Sequence, residues 1–217
     1  MNLAIFDLDN TLLSGDSDHA WGEFLVSNGI VDGDAYREKN DYFYQQYQQG
    51  GLDIVEFLEF ALKPLSEHPK SQLDSWHNQF MSESISAMRL EKADQLLSKH
   101  RAEGDYLLII TATNSFVTGP IAKALGVDHI IATDPEFVNG AFTGKVSGTP
   151  CFQEGKVTRL NDWLVTSGHS LSGSYFYSDS HNDLPLLNLV DNPIVVDADN
   201  LLLIEAKKRD WPVISLR

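Results

Sequence analysis

The chain predicts a doubly wound α/β core, its parallel sheet interrupted by an inserted helical segment, and three observations predict it. Short apolar runs bounded by polar turns recur at Leu3 to Phe6, Tyr106 to Ile110, Ile130 to Ala132, Tyr175 to Tyr177 and Ile194 to Val196, as strands buried on both faces do. Amphipathic stretches lie between most of them, at Pro120 to Leu125, Lys156 to Val165 and Leu184 to Val190, and such alternation builds a parallel sheet covered on both sides. The rhythm fails only from about Gly15 to Met88, where helical spacing takes over in Trp21, Phe24, Leu25 and again in Ile54, Phe57, Leu58, Ala61, Leu62.

Taken in chain order, Leu3 to Phe6 is the first strand, and the helical segment leaves almost directly from its carboxyl end. The core is therefore assigned to residues 1–14 and 89–217 and a helical cap to residues 15–88. Ligands of open α/β sheets bind at carboxyl strand ends, so the segment is placed to act as a lid. Farther on, Asn139-Gly140 between the short alternating runs of Phe137 to Val146 marks a two-residue hairpin. No internal repeat is present.

A chain of 217 residues accommodates one sizeable core and a smaller accessory unit. Its net charge of -15 disfavours nonspecific nucleic-acid binding, because a phosphate backbone meets an acidic surface. A phosphorylated ligand then needs local positive charge, which a bound metal ion supplies. The single cysteine, Cys151, forms no internal disulfide, and Asp7 arrives before a signal-peptide stretch develops. No apolar run approaches the roughly 20 residues of a membrane span. A cytoplasmic protein without a membrane role is expected, with its oligomeric state open.

Four segments carry chemistry. The first strand runs into Asp7-Leu8-Asp9-Asn10-Thr11, and strand periodicity sends Asp7 and Asp9 to one side. Two crowded carboxylates either share a proton or hold a hard divalent cation such as Mg²⁺, although an acidic pair at a strand end is also a common solvated feature. The second, Ile110-Thr111-Ala112-Thr113-Asn114, presents hydroxyls and N–H groups to an anion or, alternatively, caps the next helix with Thr113, Asn114 or Ser115. The third is Lys156 at the start of a helix, where a solvated lysine is the ordinary alternative. In the fourth, Ser178-Asp179-Ser180-His181-Asn182-Asp183, an aromatic strand delivers Asp179 and Asp183 to the same sheet edge.

In order and spacing these segments resemble the haloacid dehalogenase superfamily over essentially the whole chain, and the inserted helices resemble the cap of its phosphoserine-phosphatase-like branch. Within that branch, Asp7 to Leu13 followed by Gly15 to Trp21 looks closest to bacterial histidinol phosphatases. The resemblance implies a Mg²⁺-dependent phosphatase of a small phosphorylated metabolite. It makes Asp7 the nucleophile and a metal ligand, with the Asp9 carbonyl and Asp179 beside it and Asp183 acting through water. It makes Asp9 the general acid and base. Thr111, Ala112, Lys156 and Asn182 would hold the phosphoryl group, and Asp16 would bind a substrate amine.

Phosphoserine phosphatases hold the substrate carboxylate with a cap arginine, but no arginine occurs here between Arg37 and Arg89, and Ala61 stands in about that place. Asp16 and Asp18, with Trp21 and Phe24 nearby, suit a cationic, partly flat substrate, so histidinol phosphate is expected. The alternative makes Asp16 and Asp18 helix caps and Trp21 core. Phosphoserine is the second candidate, with Arg37, Lys39 or Lys63 supplying charge. A phosphotransferase and a non-catalytic phospho-ligand binder complete the alternatives.

Overall fold

The structure is a computed structural model that describes residues 2–217. Its strands are β1 (Leu3–Phe6), β2 (Tyr106–Asn114), β3 (His129–Val138), β4 (Ala141–Ser147), β5 (Tyr175–Ser178), β6 (Asn192–Val196) and β7 (Val213–Ile214). They form one sheet in the order β4-β3-β2-β1-β5-β6-β7. Neighbours are parallel except in the β3–β4 hairpin. There Val138 pairs with Ala141 across Asn139 and Gly140, both at positive φ, as a tight two-residue turn requires.

Strand alternation divides the core between the two faces. Ala4, Phe6, Leu107 and Ile109 enter one apolar cluster, while Leu3, Ile5, Leu108 and Ile110 enter the other. Both faces are covered by helices: α6 (Glu91–Glu103), α7 (Ser115–Leu125), α8 (Glu154–Ser167), α9 (Leu184–Leu187) and α10 (Asn200–Lys208). β2 and β3 run past their apolar cores. Residues Thr111–Asn114 stay extended beyond a register shift against β3, and the outer half of β3 pairs with β4.

Between β1 and β2 lie α1 (Ser17–Ser27), α2 (Gly33–Gln48), α3 (Ile54–Glu67) and α4 (Lys70–Phe80), the last continuing through a π-helical turn (Met81–Ile85) into α5 (Ser86–Met88). The Asp16 carboxylate accepts from the Asp18 and His19 amides at the start of α1, and Asp53 does the same for Val55 and Glu56 at α3. The segment leaves and re-enters side by side, since Leu13 pairs with Arg89 and the Ser14 amide donates to the Met88 carbonyl at 2.9 Å. Trp21, Phe24, Leu25 and Phe80 pack in one cluster with Leu8, Leu12, Val117 and Ile121. Leu58, Leu62 and Leu65 of α3 instead pack with Phe142 and Val146 of the hairpin.

Candidate active site

The chain leaves β1 for β2 and β3 on one side and later returns for β5, β6 and β7 on the other. The carboxyl end of β1 is thus the switch point, where loops part and leave a crevice. Asp7 is held there by its own amide, which donates to the Tyr177 carbonyl of β5 at 2.9 Å. Lys156, in the first turn of α8, is only 2% exposed. Its ammonium donates to Asp7 Oδ1 at 2.7 Å and reaches Asp183 at 2.7 Å. Ser178 Oγ also donates to Asp183, at 2.7 Å. Thr11 Oγ1 donates to Asp179 Oδ1 at 3.1 Å and lies 3.5 Å from Asp7 Oδ2.

Burial pushes the Asp7 pKa up to about 7; Lys156 opposes the rise, and the charges of Asp183 and Asp9 add to it. Burial also works to lower the Lys156 pKa, but Asp183 and Asp7 outweigh it and keep the ammonium charged. Asp179 is raised well above the usual carboxylate range by burial and by Asp7 and Asp183. One lysine thus bonds two of three neighbouring carboxylates, Asp7 and Asp183, and leaves Asp179 to Thr11, a group whose donors are oxygen alone. That donor set fits a hard divalent cation such as Mg²⁺, which would be held chiefly by Asp7 and Asp179.

Asp9 occupies a different setting. Its Oδ1 accepts from the Ser17 amide at 2.6 Å and its Oδ2 from Thr113 Oγ1 at 2.9 Å; Thr111 Oγ1 stands 3.5 Å from the same oxygen. Burial lifts the Asp9 pKa to about 7, with the charge of Asp16 adding to it against the Ser17 and Thr113 bonds. Such a carboxyl exchanges a proton near neutral pH, as a general acid and base must.

Thr111 is buried, with its hydroxyl accepting from the Thr113 amide at 3.3 Å. Asn182 is buried at the loop after β5, where Gln153 donates to its Oδ1 at 3.0 Å. Asn114 alone of the three proposed caps takes that role, accepting from the Val117 amide. Thr113 turns instead to Asp9, a use that its place in the sequence does not suggest. His19 and His181 are tied to Asp41 at 2.7 Å and Asp199 at 2.8 Å.

Above these groups is a narrow cavity that opens partly to solvent. Asp7, Asp9, Thr111, Ala112 and Thr113 form its floor, and Asp16, Asp18, Asn40, Phe43, Tyr44, Tyr47 and Phe57 its walls. Among the described residues no lysine or arginine lines it. Arg37 pairs with Glu23, Lys63 with Glu67, and Lys39 lies over Phe43 and Phe60. Ala61, Trp21 and Phe24 are packed in the core. Burial raises the Tyr47 pKa well above its ordinary value, and the charges of Asp7, Asp179 and Asp183 add to the rise.

Residues 4–188 match the family model for haloacid dehalogenase-like hydrolases. The chain belongs to that family. It is 45% identical to a histidinol-phosphatase of Neisseria meningitidis, over 100% of this chain and 99% of that one. Its identity to a phosphoserine phosphatase of Mycobacterium tuberculosis is 27%, over 99% of this chain and 70% of that one. Among solved structures, a Bordetella pertussis protein of unknown function superposes with TM-score 0.94 at 45% identity, covering 100% of this chain and 99% of that one. A phosphoaspartyl-intermediate analogue of phosphoserine phosphatase superposes with TM-score 0.72 at 17% identity, covering 100% and 93%, a likeness of fold.

Proposed function

We propose that this phosphatase of the haloacid dehalogenase family hydrolyses histidinol phosphate through a phosphoaspartate on Asp7, with residues 15–88 acting as a cap over the site. The observation that carries the substrate is the cavity wall, which combines carboxylates and aromatic rings with no lysine or arginine among the described residues. A ligand carboxylate finds no cation there, whereas an amine and an imidazole find acid and aromatic faces. The full-length similarity to a histidinol-phosphatase supports the same reading.

In this reading the Asp7 carboxylate attacks phosphorus, the ester P–O bond breaks, and protonated Asp9 gives its proton to the leaving alkoxide. Asp9 then takes a proton from water, which attacks the phosphoaspartate, releasing inorganic phosphate and restoring both carboxyl groups. Lys156 orients Asp7 and offsets charge on the transferring group, with Thr111, the Ala112 backbone and Asn182 as further phosphoryl ligands. Mg²⁺ bound by Asp7, Asp179 and the Asp9 carbonyl, steadied through water by Asp183, would supply further charge neutralisation. Asp16 would receive the substrate amine.

The test is phosphate release from histidinol phosphate, phosphoserine, sugar phosphates and nucleotides, with Mg²⁺ or chelator and with Asp7→Asn as the blank. The expected result is Mg²⁺-dependent release with kcat/KM for histidinol phosphate roughly tenfold or more above the others. Preference for phosphoserine would sink the substrate, and release undiminished in Asp7→Asn would sink the mechanism.

A further inference from the structure

Four aspartates line the cavity, and three of them are engaged. Asp7 accepts from Lys156, Asp9 from Ser17 and Thr113, and Asp16 from the two amides it caps. The fourth, Asp18 in the first turn of α1, has its Oδ2 buried without a hydrogen-bond partner. Burial, and then the charges of Asp16 and Asp9, raise its pKa well above the usual carboxylate range.

An acid in the first turn of a helix is favoured by the helix dipole, but that benefit is available at full exposure and does not call for a buried, orphaned oxygen on a residue that lines a cavity. A buried carboxylate oxygen is ordinarily satisfied. The missing partner is therefore sought in what the cavity takes up. No lysine or arginine of the described residues lines the cavity to serve. The surrounding wall is aromatic: Phe43 and Phe57 meet edge to face at 5.5 Å, and the His19 and Tyr44 rings lie 4.8 Å apart. Acid and ring faces together favour a cation, and a flat one most of all.

We propose that Asp18 is a specificity-determining residue whose carboxylate binds a cationic nitrogen, ammonium or imidazolium, of the phosphomonoester in the cavity. This rests on the phosphatase reading above and extends it beyond Asp16, whose Oδ1 is already committed to the helix cap. Asp18 thereby makes the enzyme selective for phosphate esters of amine- or imidazole-bearing alcohols over neutral ones.

The experiment compares the wild-type chain with the isosteric, neutral Asp18→Asn. Turnover is measured with Mg²⁺ on histidinol phosphate, phosphoethanolamine and the neutral ester propyl phosphate, and binding of histidinol itself by titration calorimetry, which needs no turnover. The expected result is a loss of roughly tenfold or more in kcat/KM on the cationic esters, carried mainly by KM. Propyl phosphate should be unaffected or improved, and histidinol binding should weaken by about the same factor. Equal losses on cationic and neutral esters, unchanged cationic turnover, or histidinol binding that is absent or indifferent to the substitution would each overturn the role. Should phosphoethanolamine outrun histidinol phosphate while its Asp18 dependence persists, the histidinol reading falls and the charge-reading role stands.

Discussion

The side-chain amide of Asn182, in the loop after β5, donates to the Tyr47 carbonyl near the end of α2 at 3.2 Å. One residue of the acidic loop is thus bonded directly to a helix of the inserted segment, and that same helix places Phe43, Tyr44 and Tyr47 in the cavity wall. Replacing Asn182 by Ala removes this tie along with the Gln153 bond. A net hydrogen bond contributes about 0.5–1.5 kcal/mol, so kcat/KM is expected to fall roughly 2- to 10-fold or more. Steady-state kinetics check this, and an unchanged kcat/KM would show that neither contact matters in turnover.

Lys156 separates two buried carboxylates that would otherwise face each other unpaired. Breaking a buried pair by deleting one partner costs roughly 3–5 kcal/mol. Lys156→Met should therefore lower unfolding free energy by about that much in chelator, and by less with Mg²⁺ present, while phosphatase activity falls on the order of 100-fold or more. Urea denaturation with and without Mg²⁺, alongside phosphate release, measures both; full activity in Lys156→Met would remove the lysine from the mechanism.

Asp7, Lys156, Asp179 and Asp183 are legible in the sequence as a converging group because each sits at a strand end or helix start, where the topology of a parallel sheet dictates which edge it reaches. The apolar strands β1, β2, β3, β5 and β6 are legible for a similar local reason. β7 is not: two residues carry no periodicity, and only pairing with β6 defines it. Thr113 reads as a cap because its hydroxyl has no visible partner nearby in sequence, while its partner Asp9 lies 104 residues away. The cavity wall is hidden for the same reason. Nothing local in α2 says that Tyr44 and Tyr47 turn toward Asp7, since that depends on how the helix lies over the sheet.

Gly50 has φ +72, and a Cβ built there would stand 2.5 Å from His181 Nε2. The His181 ring cannot swing away freely, because its Nδ1 is bonded to Asp199 at 2.8 Å. A left-handed backbone costs a non-glycine residue about 1–2 kcal/mol, and the clash adds to it. Gly50→Ala is expected to lower Tm by roughly 2–8 °C for a chain of this size. Combining it with His181→Ala should relieve the clash but not the backbone cost, so the double variant melts above the additive sum. Strict additivity in the thermal melts would refute the contact.

His77 is 3% exposed, and one ring nitrogen, Nε2, donates to the Val117 carbonyl at 2.8 Å while Nδ1 is buried without a partner. Burial lowers its pKa below the ordinary 6.5, against the opposing Val117 bond and Asp74 charge. In the unfolded chain the ring titrates near 6.5. As pH falls through that value the unfolded state takes up a proton that the folded state refuses, so the His77 contribution destabilises the fold progressively until the lowered folded pKa is passed. Buried carboxylates titrate in the same range with the opposite effect, which a difference measurement removes. Urea unfolding at about pH 7.5 and about pH 5.5 should show wild type losing more stability on acidification than His77→Asn. Parallel losses in the two proteins would mean that His77 is protonated as readily in the folded state as in the unfolded one.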